Sequence, residues 1–559
     1  MKPVKTRSGR LLTAVGSLPL LTMDRMEEIS RIFDADPRIA TVSLVGSTTN
    51  PGVVIRQSGP GGAVTVIALD LTDLLGAVDP QDPQSVEAWV QAATERGLRH
   101  NWLLSDHRDV LSAEAVSTSV VDEQELSDPS GAAAHYISRR SINATAITVN
   151  VDVTWLGPHE TGAQVLTTAA ISALANQPNI ASITLTGLAE LPPYAAHVTD
   201  NPKVILQPVD HAPEQADIVW YPNQIDQRSN ISQARELGRR VVATYLDLIA
   251  YDIPRYHGST DAWLAYRSLQ RKIALSVDGI TTISVDVARQ LLAEVPRLSA
   301  KRVKPLPLGL DHVTAEQVPV QPDADVFAIK KSLTTKPFIV VLGNDFQHKN
   351  RDFAIAVWEK VLESGTPCDL VLVGLHVKSS SSRDRETELI RKHVDLRGSV
   401  HTAEHVTSAS RAWLLANASV ALYPTSAEGF GFVPYEAAAM GTPATFTNFG
   451  PLAEIAQLTD IPSTWSIQSY ANDVVQLLNN PEARDKRVSE LQRAISAHTW
   501  NGFGQGLAEF FTHIIDLPPV LTSTVADGGR DTAALSAVLS SKSWRALEKA
   551  RNLKSKIKP

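Results

Sequence analysis

The twenty residues from Pro424 to Pro443 constrain this chain more than any other segment. They set Glu428 and Glu436, with seven residues between them, around a glycine-containing turn that runs into a helical pattern. Just before them, Ala418-Ser419-Val420-Ala421-Leu422-Tyr423 is an apolar run that reads as a short buried strand. A strand, a glycine turn and a helix start, in that order, leave backbone N–H groups unpaired at the positive end of a helix dipole, an arrangement that holds phosphate. A phosphorylated ligand is therefore expected. The plainer reading makes the two acids helix-start charges, each contributing roughly 0.3–1 kcal/mol.

Around this segment the chain alternates apolar strand-like runs with longer helical patterns, the signature of a parallel sheet covered by helices. A first half is expected over 141–325, with strands at 146–153, 182–186, 217–221, 240–244 and 280–284. Leu306-Pro307-Leu308-Gly309-Leu310-Asp311 closes it. A second half is expected over 326–516, opening at Pro337-Phe338-Ile339-Val340-Val341-Leu342-Gly343 and continuing through Asp369–Gly374. The Pro, Asp and Lys content of Val318–Thr335 reads as the connector. In such α/β sheets ligands bind at the carboxyl ends of the strands, so a cleft between the halves is the default site. Residues 1–140 form a separate module, and 517–559 a linker and tail, the linker marked by Pro518, Pro519, Gly528 and Gly529.

The segment 424–443 resembles the signature of retaining, nucleotide-sugar-dependent glycosyltransferases of family 4, which have the two-domain GT-B fold. The resemblance covers about 145–515 and implies an α/β chain of two Rossmann-like halves. It places Glu428 near the donor sugar and reaction centre, and Glu436 on the nucleotide ribose. The backbone of Gly429, Phe430, Gly431, Phe432 and Val433, with Thr425, becomes the diphosphate and sugar cradle. In Gly343-Asn344-Asp345-Phe346-Gln347-His348-Lys349-Asn350-Arg351, Lys349 stands where the family has its diphosphate-binding lysine. The family arginine that usually follows the glycine is replaced by Asn344 and Asp345, which leaves Arg351 to compensate. Loss of one of two fixed cations at a leaving diphosphate costs on the order of 2–4 kcal/mol of transition-state stabilisation.

On the acceptor side, Gly157, His159, Glu160, Thr161 and Gly162 resemble the family loop that approaches the donor phosphate or the acceptor; the alternative is a plain strand-to-helix turn. Tyr245-Leu246-Asp247 resembles a strand end that often reads His-Asp-Leu, so Leu246 takes the histidine's place unless His159 or His257 replaces it. Asp247 is then an acceptor contact or a helix cap. His401 and His405 have helical spacing without acidic or cysteine partners, and no metal site or cofactor is implied.

Met23–Phe33, Ile39–Val45 and Ala92–Trp102 resemble pieces of a GT-A family 2 glycosyltransferase. Asp34-Ala35-Asp36 follows a helix rather than a strand, so the module is expected to be noncatalytic and used for packing or partner contact. The single cysteine, Cys368, excludes a disulfide framework and suits a reducing cytoplasm. Ser17 and Pro19 interrupt the apolar run Leu11–Leu21, against a secretory signal. A formal charge of −8 argues against nucleic-acid partners, yet 542–559 holds seven Lys or Arg against one Glu. With Trp544, Leu547, Leu553 and Ile557, that tail suits an anionic membrane surface or a solvated end.

Together these readings imply a cytoplasmic glycosyltransferase, peripheral to the membrane at most. It moves a sugar from a nucleotide diphosphate sugar to a surface-glycan or lipid-linked acceptor with retention and without metal. The alternative is a catalytically silent GT-B protein that binds nucleotide sugar or scaffolds a glycan-assembly complex.

Overall fold

The computed structural model describes residues 147–520 apart from 159, 208–213, 226–230, 313–332, 334–335, 394–397 and 405. Before these it describes 4–5, 11–16, 39–45, 63–68, 71–79, 82–96, 98–104 and 110–112. His159, His405, Asp34, Asp36, the helix expected at 23–33, most of the connector at 318–335 and the tail 542–559 lie outside the described residues.

Three sheets follow one another along the chain. The first is mixed, with strands β1 (Val4–Lys5), β2 (Leu11–Gly16), β3 (Ile39–Val45), β4 (Ala63–Ala68), β5 (Arg99–Leu104) and β6 (Val110–Ser112) in the order β1-β2-β4-β3-β5-β6. The apolar run weighed against a secretory signal thus supplies a strand, β2.

The second sheet holds β7 (Ile147–Asp152), β8 (Ile180–Thr186), β9 (Val204–Leu206), β10 (Ala216–Tyr221), β11 (Gly238–Tyr245), β12 (Gly279–Thr282) and β13 (Val303–Pro305). All its pairings are parallel, in the order β13-β12-β11-β10-β7-β8-β9. The third, also all parallel, orders β14 (Phe338–Leu342), β15 (Asp369–Val373), β16 (Val400–Ala403), β17 (Val420–Tyr423) and β18 (Ala444–Phe446) as β16-β15-β14-β17-β18. The expected α/β chain with two Rossmann-like sheets is therefore present.

Parallel strands read as unbroken apolar runs because helices cover both faces. Every residue of β14, β15 and β17 is buried. The helix Arg351–Glu363 lies on β14 and β15, and Ile467–Asn479 lies on β17 and β18. Trp358 is fully buried there, its indole N–H donating to the Cys368 carbonyl at 2.9 Å. Cys368 is a core residue whose thiol burial pushes up to about 12.

The helix Trp500–Asp516, the last segment expected of the second half, packs on Gly162–Ala175 of the first. A Cβ at Gly504 would stand 2.6 Å from the Ala173 carbonyl carbon, so this crossing needs a glycine. The linker expected from residue 517 is pinned at its start: Arg240 and Arg302 donate to the carbonyls of Leu517 and Pro518, and the Val520 N–H donates to Asp278 at 2.7 Å. Gly504→Val should force the two helices apart and lower stability by roughly 1–3 kcal/mol in urea unfolding; an unchanged midpoint would contradict this packing.

Candidate active site

Two loops at the carboxyl ends of neighbouring strands build the site. After β14 the chain turns at Gly343, which adopts φ 142°. Asn344 accepts the Leu375 N–H, and Asp345 accepts the Val377 N–H at 2.7 Å and the Arg383 guanidinium at 3.1 Å. These two residues, found where the resembled family has its arginine, anchor the loop. A single turn of 3-10 helix at Gln347–Lys349 and a left-handed Asn350 then start the helix Arg351–Glu363.

Lys349 points to the second loop. Its ammonium donates to Glu428 at 2.5 Å and to the Tyr423 hydroxyl at 3.2 Å. Tyr423, last residue of β17, also donates to Glu428 at 2.5 Å. The His348 carbonyl ties the loops together, accepting the Ser426 N–H at 2.8 Å and the Thr425 hydroxyl at 3.2 Å. Thr425 is fully buried and serves the loop's own geometry. Glu436, buried in the helix Val433–Ala439, accepts from Arg411 and lies 4.0 Å from His312.

Arg351 does not stand in for the missing arginine. It is buried, paired with Glu386 at 3.0 Å and donating to the Gly343 carbonyl at 3.1 Å, so it braces the loop from behind. The reason is local: as first residue of its helix, Arg351 meets Glu386 from the neighbouring helix Arg383–Lys392.

The first half closes over these loops. A Cβ at Gly429 would stand 2.0 Å from the Leu246 carbonyl oxygen, so Gly429 is the residue that lets β11's end approach. One at Gly162 would meet the Phe432 ring at 3.4 Å. Glu160 accepts the Ser408 hydroxyl at 3.2 Å. Gly157 only offers its carbonyl to Tyr194 at 2.8 Å, and Thr161 caps the helix Gly162–Ala175 with Gln164. Tyr256 hydrogen-bonds His348 across the cleft. Burial and then Lys349 hold His348 well below its ordinary range, while burial raises Tyr256, so the hydroxyl donates to a neutral Nδ1. Glu454 accepts the N–H groups of Val285 and Asp286 at 2.9 Å, a further tie between the halves.

Asp247 caps Ile249 at 2.8 Å and faces Lys349 and Glu428. Burial, aided by Glu428 and opposed by the Ile249 N–H, raises its carboxyl to about 6. His257 bonds the Ala250 carbonyl at 2.8 Å and does not fill the place of the family histidine. His401 lies in β16, not on a helix, and bonds Asp369 at 3.2 Å. Among the described residues no group of three His, Cys, Asp or Glu is arranged to hold a metal.

Gly429, Phe430, Gly431 and Val433 are buried, and the amides of 429–433 meet no acceptor among the described residues. They lie at the entry to the helix Val433–Ala439, where the first backbone N–H groups have no intrahelical partner. The helix beyond them has seven residues, so the local amides rather than a long dipole supply the field. Tyr256, His312, His348, Arg411 and Tyr423 belong to the site too. Only His348 and Tyr423 carried a sequence signal, as neighbours of Lys349 and of the glycine turn.

With this geometry in view, residues 324–493 match the family described as Glycosyl transferases group 1. The MMP alpha-(1->4)-mannosyltransferase of Mycolicibacterium hassiacum is 22% identical over 244 residues, 43% of this chain, and the match spans about half of that relative's length, 54%. Among solved structures, the UDP-forming trehalose-phosphate synthase of Burkholderia xenovorans with glucose-6-phosphate superposes at TM-score 0.49 and 12% identity, over 65% of this chain and 100% of its own. Anabaena HepE with UDP and glucose gives 0.46 and 14%, over 65% and 98%.

Because the raised Asp247 carboxyl binds a proton in the folded state that the unfolded chain has released, stability should fall as pH rises from about 4 to about 6, and level off above. Asp247→Asn should remove that slope, on the order of 1–3 kcal/mol, in denaturation series at pH 4 to 7. Parallel profiles for the two proteins would contradict the placement.

Proposed function

We propose that this chain, with a glycosyl transferases group 1 domain at 324–493, transfers a sugar from a nucleotide diphosphate sugar to a surface-glycan or lipid-linked acceptor, with retention. The observation that carries the reading is Lys349 seated on Glu428 beside the unpaired amides of 429–433. A departing diphosphate develops negative charge and needs fixed positive charge in a dry site. In this reading it draws the Lys349 ammonium from Glu428 and takes its remaining hydrogen bonds from those amides. Glu428, relieved of its partner, then faces the sugar as positive charge grows there. Lys349 supplies the charge that a metal supplies in other transferases, so no metal is assigned.

Glu436, held by Arg411 beside His312, is assigned the ribose hydroxyls, and Asp247 with the 157–162 loop the acceptor. In the reaction resembled, the leaving phosphate takes the acceptor proton on the same face, so Glu428 is not a nucleophile. The mannosyl transfer named for the Mycolicibacterium relative supports a hexose donor. The charge of 542–559 supports an anionic membrane surface near the acceptor, with the enzyme on its cytoplasmic side. Among the described residues no helix is long and apolar enough to cross a membrane.

A second reading, a nucleotide-sugar-binding scaffold without turnover, draws on Arg351 being committed to Glu386 and on the Leu246 carbonyl resting against Gly429. Assay of the full chain against UDP- and GDP-hexoses separates the two. Turnover that falls about 10²–10³-fold in Glu428→Gln and in Lys349→Met supports the enzyme. Removing one partner of a buried pair also destabilises, so Lys349→Met/Glu428→Gln, which removes both charges, serves as the folded control and should be equally inactive. Nucleotide binding with no turnover of any donor would favour the scaffold.

A further inference from the structure

Among the described residues, the N-terminal module reaches the donor loop through the side chain of Arg96. Arg96 follows the helix Pro83–Glu95 and is mostly buried. Its guanidinium forks onto Asp352, with Nη2 to Oδ2 at 2.7 Å and Nη1 to Oδ1 at 3.2 Å. The same Nη1 donates to the Asn350 side-chain oxygen and faces the Gln347 carbonyl at 3.5 Å. Asn350 in turn donates to the Pro424 carbonyl at 2.8 Å, and the Arg96 carbonyl accepts the Ser426 hydroxyl. One residue thus grips Asn350, which follows Lys349, together with Asp352 and the Gln347 carbonyl, and on its other side the loop that leads to Glu428.

The contacts around it fix where that grip is anchored. Asp73, from the same module, accepts the first amide of the helix Ile467–Asn479 at 2.9 Å. Glu95 pairs with Arg255 of the first half at 2.6 Å, one residue before the Tyr256 that bonds His348. The end of one helix therefore touches both halves beside the site. Asn350 holds a left-handed φ of 51°, a conformation that a non-glycine residue keeps when its surroundings over-determine it. Arg96 and the Pro424 carbonyl are those surroundings.

We propose that Arg96 is a positioning residue for Lys349, which makes the N-terminal module a brace of the diphosphate subsite rather than a separate appendage. The inference rests on the nucleotide-sugar reading above. Asp352 gives Arg96 a second carboxylate oxygen, so a lysine, a point charge without the fork, holds the pair but not Asn350. Burial raises the Asp352 carboxyl, and the opposing pull of Arg96 outweighs it.

The test is a comparison of Kd for the diphosphate and the monophosphate of one nucleoside, UDP against UMP and GDP against GMP, on the full-length chain. A brace acting through Lys349 predicts that Arg96→Ala weakens the diphosphate about tenfold and leaves the monophosphate within about twofold. Arg96→Lys, which keeps the charge on Asp352, should show the same selective loss if Arg96→Ala fails to fold. Parallel weakening of both nucleotides, or no change in either, overturns the positioning role. A wild-type chain that binds none of the four overturns the nucleotide-sugar reading instead, and this inference with it.

Discussion

The structure turns on the contact between the Lys349 ammonium and the Glu428 carboxylate. Both are mostly shielded from water, with side-chain exposures of 19% and 9%, and an unpaired charge in such a place costs about 3–5 kcal/mol. Each loop is therefore obliged to meet the other. The bonds to the His348 carbonyl, the buried Thr425 and the left-handed Asn350 all serve to bring two strand ends to the distance at which this pair can form.

The pair also gives the site its polarity. One cation, two tyrosine hydroxyls and a neutral histidine surround Glu428 and Asp247, and the amides of 429–433 add donors without adding charge. In the proposed reading, such a cluster takes the departing diphosphate beside two carboxylates. The halves meet over it through Leu246 and Gly429, through Tyr256 and His348, and through Glu454, which accepts the first amides of the helix Val285–Glu294.

Much of this was legible in the sequence because the signals are local. Buried parallel strands announce themselves as apolar runs, and the strands at 146–153, 217–221 and 338–342 were found on that ground alone. In the two parallel sheets the missed strands, β9, β13, β16 and β18, have three or four residues each, too few for a pattern to register, whereas β2, β4 and β5 of the first sheet were missed at six residues each. Lys349, Glu428 and Glu436 were marked by the family resemblance of the two segments that follow apolar strand-like runs. Arg411, His312 and Tyr256 were not, since they come from distant elements and carry no motif. The reading of Arg351 as a second cation failed for the same reason: its partner, Glu386, lies 35 positions on in the chain. Arg96 was invisible because its meaning comes entirely from the tertiary contact between the module and the second half.

Hydrogen exchange of the full chain with and without a nucleoside diphosphate tests the central claim most directly. Ligand seated on Lys349 and the free amides predicts slowed exchange confined to peptides covering 343–351 and 424–436, strongest at 429–433. Protection that appears elsewhere while those two loops exchange at their unliganded rate would contradict it.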